Sequence, residues 1–381
     1  MGVGIILLLQ DIVQSLSGKQ KLENIMEKQM LPELKPLRLG ELLDQAIRLY
    51  RKHFLTFIGI IAVVYVPLGI LQTVFVTLMN NSLTDLQAPG QFTDPFAIFT
   101  SSYMVNASLV IVLAFVQVVL VQGIATGALN RAIADSFSGK TPTVLDAYRG
   151  IGQSWLSLVG ALLFLGLIGI VAFFWWVVVP CVGWFTGLGI LVFLGSVINP
   201  LVPSVIVLEG QQAIGSIRRA WNLARRRFWP LLGTVLVLML FSAIVVSGPN
   251  FLVSFAVIPL GGVVDDPQVA LVITTVLQSL VGIIFTLIYY PLQMAAFTLI
   301  YFDLRVRTEG LDLAFQLANQ EETPDLSKAL AVSAPQTGER LVTGAELGSF
   351  AIITLGAAGL YVLLTSVLLG GVFLLGSLLN F

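Results

Sequence analysis

Seven apolar runs, most of them at least twenty residues long, fix what this chain can be. They fall near 54–76, 104–129, 156–179, 182–208, 231–247, 270–304 and 350–379. A helix needs roughly 20 apolar residues to cross a bilayer, and irregular backbone is not viable against lipid. Only 11% of the 381 residues are charged and 57% are hydrophobic, where soluble domains carry roughly 25% charged residues. The predicted fold class is all-α: a polytopic transmembrane helical bundle of about seven spans. The third and fourth runs are parted only by Pro180 and its neighbours, which predicts a tight turn. The sixth is too long for one straight crossing and contains Pro291, so it is expected to kink, to project into water, or to form two pieces.

The basic residues set an orientation. Eight precede the first run: Lys19, Lys21, Lys28, Lys35, Arg38, Arg48, Arg51 and Lys52. Arg131, Lys140 and Arg149 lie between runs two and three, and Arg218, Arg219, Arg225, Arg226 and Arg227 between four and five. Arg305, Arg307, Lys328 and Arg340 lie between six and seven, which accounts for all 20 Lys and Arg. The alternate loops, 77–103, 180–181 and 248–269, have none and hold Asp85, Asp94, Asp265 and Asp266. By the positive-inside rule the N-terminus is cytoplasmic and the C-terminus, after seven crossings, outside. Trp175, Trp176 and Trp184 then fall at the outer interface, as an aromatic belt requires.

Three segments on the basic side share one pattern. Ala46, Phe54 and Gly59 recur, at identical offsets, as Ala147, Trp155 and Gly160 and again as Ala220, Phe228 and Gly233. Upstream of each aromatic residue, apolar positions step by three or four: Leu42, Leu43, Ala46, Ile47 and Tyr50; then Leu145, Tyr148 and Ile151; then Ile214, Ile217 and Trp221. That period describes an amphipathic helix, and basic residues on its other face suit the headgroup layer. The pattern predicts three repeated units, each a cytoplasmic surface helix followed by two spans, with a seventh span after them. The aromatic marks where the chain turns into the membrane, and the glycine allows close helix contact deeper in.

The residues that hydrolysis would need are missing. One cysteine, Cys181, excludes an internal disulfide, and with one histidine, His53, no Cys/His metal cluster can be built. No carboxylate, Lys, Arg or His lies well inside a predicted span, which argues against ion-coupled transport and intramembrane catalysis. Gln117, Gln122, Asn130, Asn199, Gln278 and Gln293 are polar exceptions, read as interhelical hydrogen-bonding groups. Gly183 and Gly187 form a GxxxG spacing suited to close packing. The triplet Arg225, Arg226 and Arg227 either anchors the fifth span or, with Arg218 and Arg219, forms a patch for anionic lipid. In Tyr301–Leu313, Asp303 with Arg307 and Arg305 with Glu309 are i,i+4 pairs, which read as a solvated helix end stopped by Gly310.

The segments SIRRAWNLARRRFWPLLG (from Ser216), YFDLRVRTEGLDL (from Tyr301) and LRLGELLDQAIRLYRKHFLTFIG (from Leu37) resemble the membrane domain that precedes some bacterial glycerophosphoryl diester phosphodiesterases. That family includes stand-alone membrane proteins, and the resemblance covers residues 37–313. In fused members the hydrolase is a separate soluble barrel that uses His, Glu and Asp with a metal. Nothing in this chain is long or polar enough to be that barrel, so no catalytic residue carries over.

The expected organisation is an N-terminal cytoplasmic segment (1–36), a six-span membrane domain (37–313), a cytoplasmic linker (314–347) and a C-terminal transmembrane helix (348–381). The apolar stretch near the start, from Val3 to Leu9, is either a surface helix or lies ahead of a true start at Met26 or Met30. The expected function is non-enzymatic: a scaffold in the bacterial cytoplasmic membrane that organises lipid or a partner protein, with no cofactor and no nucleic acid. Arg218, Arg219, Arg225, Arg226, Arg227, Arg305 and Arg307 are the candidate contacts for anionic lipid or a membrane-protein partner. The alternative is a transporter or permease subunit for an uncharged or lipid-like solute.

Overall fold

A computed structural model describes residues 36–87, 101–137, 140–257, 264, 266–313 and 343–378. The N-terminal segment up to residue 35 and linker residues 314–342 lie outside the described residues. Seven helical segments are long and apolar enough to cross a membrane: Phe54–Asp85, Ser102–Ser136, Trp155–Val178, Val182–Glu209, Phe228–Val257, Gln268–Glu309 and Gly344–Leu363. No strand occurs among the described residues, so the chain is an all-α membrane bundle.

The first span, α2 (Phe54–Gln87), follows a separate helix, α1 (Leu39–Lys52). The second runs as α3 (Ser102–Gln117), a π-helical stretch (Val118–Ala125) and α4 (Thr126–Phe137). A short helix, α5 (Val144–Gly150), then leads to the third span, α6 (Trp155–Val178). The fourth comprises α7 (Val182–Phe193), a π stretch (Leu194–Ile198) and α8 (Asn199–Glu209). Helix α9 (Ala213–Arg225) precedes the fifth, which is α10 (Phe228–Ser242), a π stretch (Ala243–Ser247) and α11 (Gly248–Val257). The sixth is α12 (Pro267–Glu309) and the seventh α13 (Gly344–Leu378).

Phe54, Trp155 and Phe228 are each the first residue of a span helix. Ala46, Ala147 and Ala220 are all buried. A small side chain there lets the surface helix lie close on the span ends beneath it. On α1 the buried face is Leu42, Ala46 and Tyr50, one helical stripe. On α9 it is Ser216, Arg219, Ala220, Leu223 and Ala224. That face is rotated away from the expected stripe, and Ile214 is 57% exposed. Ile214 therefore looks outward, while Ile217 and Trp221 pack partly buried against the core beside the small residues, Leu223 and one arginine.

The fourth span is the hub: 61% of its most apolar window is buried inside the protein. It packs on the second, third and seventh spans and on α9. Glycine makes this possible. A Cβ at Gly183 would overlap the Trp175 carbonyl and one at Gly187 the Trp176 side chain, so α6 and α7 lie in backbone contact across the turn at Pro180 and Cys181. Cys181 caps α7 at φ 59°, a conformation that favours glycine. The Trp175 indole N–H donates to Thr186 Oγ1 across the same pair at 3.2 Å.

The sixth span is one continuous helix of 43 residues that runs through Pro291, neither broken in two nor cut short. At 1.5 Å per residue it is about 65 Å long, twice the hydrocarbon thickness of about 30 Å. Its basic-side third, including Met294, Phe297, Tyr301 and Arg305, is buried. Pro291 lacks the N–H that would bond the Leu287 carbonyl. One residue along, the Tyr50 hydroxyl donates to Ile288 O at 2.7 Å.

The seventh helix begins at Gly344 and packs along α7. The Gly189 N–H donates to Thr354 Oγ1 at 2.9 Å, and a Cβ on Gly189 would overlap the Phe350 carbonyl. Phe350 sits among Phe193, Trp221 and Phe228. Arg225 reaches Glu346 at 3.8 Å.

Of the six intramembrane amides, four bond between helices. Asn199 Nδ2 donates to Gln122 Oε1 (3.2 Å), Thr298 Oγ1 to Asn130 Oδ1 (2.8 Å) and Gln278 Nε2 to Ser254 Oγ (3.0 Å).

Candidate functional site

Two spans end in the same way. Span four finishes with Glu209 and Gly210, span six with Glu309 and Gly310, and both glycines are left-handed at φ 66° and 67°. A left-handed cap stops the helix without a Cβ penalty. Each glutamate is therefore the last residue of a span, beside the other and beneath α9.

Arg219 descends from α9 between them. Its Nε donates to Glu209 Oε2 at 3.0 Å, while Nη1 and Nη2 fork onto the two oxygens of Glu309, the latter at 2.6 Å. Arg305, one turn before Glu309, donates Nε to Glu309 Oε2 at 3.0 Å and places Nη1 3.5 Å from Glu209 Oε1. The Tyr301 hydroxyl donates to Glu209 Oε1 at 2.7 Å. Both glutamate side chains are 3% exposed, Arg305 1% and Arg219 9%. Two cations and two anions cancel, and all four carboxylate oxygens accept a hydrogen bond. Burial by itself would lower the Arg219 pKa, but hydrogen bonds and charge from Glu309 and Glu209 outweigh it and hold the pKa above the usual value. The cluster is a staple that joins the Glu209 and Glu309 ends of spans four and six to α9.

The Asp303–Arg307 pair does a similar job one face away. Arg307 Nε lies 2.8 Å from Asp303 Oδ1. Asp303 Oδ1 accepts from the Leu37 N–H at 2.8 Å, and Arg307 Nη2 donates to the Leu37 carbonyl at 2.7 Å. The backbone just ahead of α1 is thus pinned to the end of α12.

Beside this pin opens a groove of about 580 Å³. The start of α1 (Leu37, Arg38, Leu39, Leu42), the start of the fifth span (Arg227, Pro230, Leu231, Gly233, Thr234) and the end of α12 (Ile300, Asp303, Leu304, Arg307) line it. Its floor is leucine and isoleucine and its rim carries three arginines. Arg307 is matched by Asp303, whereas the guanidinium groups of Arg38 and Arg227 have no partner among the described residues.

The glycines of the recurring pattern locate this groove. A Cβ on Gly59 would lie 3.2 Å from Val144 Cγ2 at the start of α5, and one on Gly160 would lie 3.4 Å from Ala213 Cβ at the start of α9. Gly233 meets nothing within 4 Å and faces the groove. Two junctions between a span and the next surface helix are closed, and the third is open.

The seven candidate arginines therefore divide. Arg219 and Arg305 are consumed in the buried staple, so the pair formed by Arg305 and Glu309 is not the solvated helix end expected. Water is excluded there because α9 lies across both span ends. Arg225 turns to Glu346 and Arg307 to Asp303 and Leu37. Arg218 and Arg226 are exposed, away from the groove lining. Arg227 alone presents an unmatched charge to the groove, joined there by Arg38. Sequence reasoning passed over Arg38, Glu209 and Tyr301. The recurrence of Glu-Gly at the ends of two spans was the signal for Glu209.

No curated protein and no solved structure matches this chain. Residues 202–324 match the family model for the membrane domain of glycerophosphoryl diester phosphodiesterase, a stretch that begins inside the fourth span and leaves residues 37–201 outside. Every member of the buried staple lies within it. Over residues 202–324, then, the chain is similar to the membrane domain of glycerophosphoryl diester phosphodiesterase.

Proposed function

We propose that the chain is a non-enzymatic membrane protein that holds anionic lipid in the Arg38–Arg227 groove and so organises lipid at its basic face. In this reading the basic face is cytoplasmic, the membrane is the bacterial cytoplasmic membrane, and the C-terminus lies outside. Three repeated units surround the face. Two of their junctions are closed by glycine contact, and the third supplies the lipid site.

The observation that carries the reading is the pair of unmatched guanidiniums above an apolar floor. A phosphate headgroup supplies the anion and acyl carbons cover the leucines, a combination that neither a free ion nor a neutral lipid offers. Each basic residue near an anionic surface is worth about 1 kcal/mol. Native mass spectrometry of the purified chain, with phosphatidylglycerol and phosphatidylcholine offered together, tests it. Arg38→Ala with Arg227→Ala should weaken phosphatidylglycerol retention about thirty-fold, the equivalent of about 2 kcal/mol, and leave phosphatidylcholine unchanged. Equal retention of phosphatidylglycerol by the variant and the original chain would overturn the assignment.

A further inference from the structure

A second cavity lies within the membrane, between spans two, three and four. Its volume is about 590 Å³, inside the range of roughly 300–1,000 Å³ that small-molecule sites occupy. Apolar side chains such as Phe115, Leu163, Leu167 and Ile170 form the walls together with Gly166, Gly169 and Gly195. A Cβ on any of these three glycines would meet nothing within 4 Å. Elsewhere in the fourth span glycine brings helices into contact; here it leaves room.

Two groups interrupt the apolar lining. Asn199 Nδ2 donates to Gln122 Oε1 at 3.2 Å. That bond leaves the Gln122 amide nitrogen and the Asn199 carbonyl without a further partner among the described residues. Both residues sit near the middle of their spans. The helix is π-wound where it carries Gln122 and immediately before Asn199. Such turns displace side chains from the regular helical register and are frequent at functional sites.

The chemistry of the occupant follows by elimination. An alkyl chain alone would fill the hollow but leave an amide donor and a carbonyl acceptor unpaired in hydrocarbon, which is costly. An ionised headgroup would find no cation, because no Lys, Arg or His lines the cavity. A hydroxyl accepts one hydrogen bond and donates another, so one such group satisfies both amides. We infer that this groove binds a lipid alcohol, a long apolar chain bearing one uncharged hydroxyl, with the hydroxyl between Gln122 and Asn199. The site is separate from the anionic-lipid groove, and each stands without the other.

Photolabelling of the full chain in phosphatidylcholine liposomes tests it. The probes are hexadecanol carrying a mid-chain diazirine and the matching diazirine-bearing alkane without the hydroxyl. Crosslinks should concentrate on residues 162–170 and 191–199. The alcohol should label about five-fold more than the alkane, the ratio that one net hydrogen bond of about 1 kcal/mol gives. Gln122→Leu with Asn199→Leu should bring the alcohol down to the alkane level. Gly195→Leu, which fills the hollow, should abolish both. Should the double variant fail to insert, comparison of the two probes on the unaltered chain still decides. Equal labelling by alcohol and alkane, or labelling spread evenly over the lipid-facing residues of every span, would overturn the inference.

Discussion

Arg219 and Glu309, separated by 90 residues of chain, meet in a two-nitrogen fork beneath α9. The fork matters because neither partner has water to fall back on. A buried ion pair contributes little against an apolar replacement of both partners, yet removal of one partner leaves an uncompensated charge and costs about 3–5 kcal/mol.

Glu309→Gln should therefore destabilise the protein by about that amount, 3–5 kcal/mol, since Arg219 and Arg305 would then share one carboxylate. Thermal unfolding in detergent provides the measurement. Glu309→Gln combined with Arg305→Met restores neutrality and should recover a substantial part of the loss. If the double variant is as unstable as the sum of the two single ones, the staple is not coupled as the geometry requires.

The spans were legible because each is a long apolar run, whereas their ends were less so: the first, second and fifth run on to Asp85, Ser136 and Val257, and the seventh begins early at Gly344. Phe54, Trp155 and Phe228 were legible as the points where spans begin, because an aromatic residue after a basic stretch marks the interface. The staple was not. Its carboxylates sit at the last residue of each span, where a hydropathy reading ends and a charged residue looks solvated. Only the fold shows that α9 lies over both ends. The unequal fate of Gly59, Gly160 and Gly233 was equally hidden, because identical offsets say nothing about which neighbour occupies the facing space.

Gly189 and Gly233 should respond in opposite ways to the same substitution. A methyl on Gly189 would run into the Phe350 backbone, which cannot swing aside as a side chain tip can, and would prise the seventh helix from the fourth. Gly189→Ala should cost about 1–3 kcal/mol, the usual penalty for overpacking. Gly233→Ala meets open space and should be close to neutral or slightly stabilising, since alanine favours the helix by up to about 1 kcal/mol over glycine. Paired melting curves compare them directly. A neutral Gly189→Ala would mean that the seventh helix does not press on the fourth.

Filling the open junction should separate binding from stability. Gly233→Leu places a branched side chain in the Arg38–Arg227 groove, where there is room, so the melting temperature should hold while phosphatidylglycerol retention falls. Gly59→Leu places the same group against Val144, already within 3.2 Å of a Cβ, so it should lower the melting temperature and leave the groove intact. Native mass spectrometry and thermal unfolding of both variants give four readings. Loss of lipid retention in Gly59→Leu alone would place the site at another junction.

His53 supplies a pH dependence of known sign. It stands between α1 and α2, where burial first and the Lys52 charge second lower its pKa below the usual value. Its ring lies 5.8 Å from that of Phe57, and its Nε2 is buried with no hydrogen-bond partner among the described residues. The folded protein therefore favours neutral imidazole more than the unfolded chain does. That contribution is complete above the unfolded value of about 6.5 and is lost as the pH falls through the lower folded value. The melting temperature in detergent should accordingly drop between pH 7 and pH 5. His53→Gln, which cannot take up a proton, should show a shallower drop over the same window. Parallel pH profiles of the two proteins would instead assign the acid sensitivity to carboxylates, with His53 bearing no part of it.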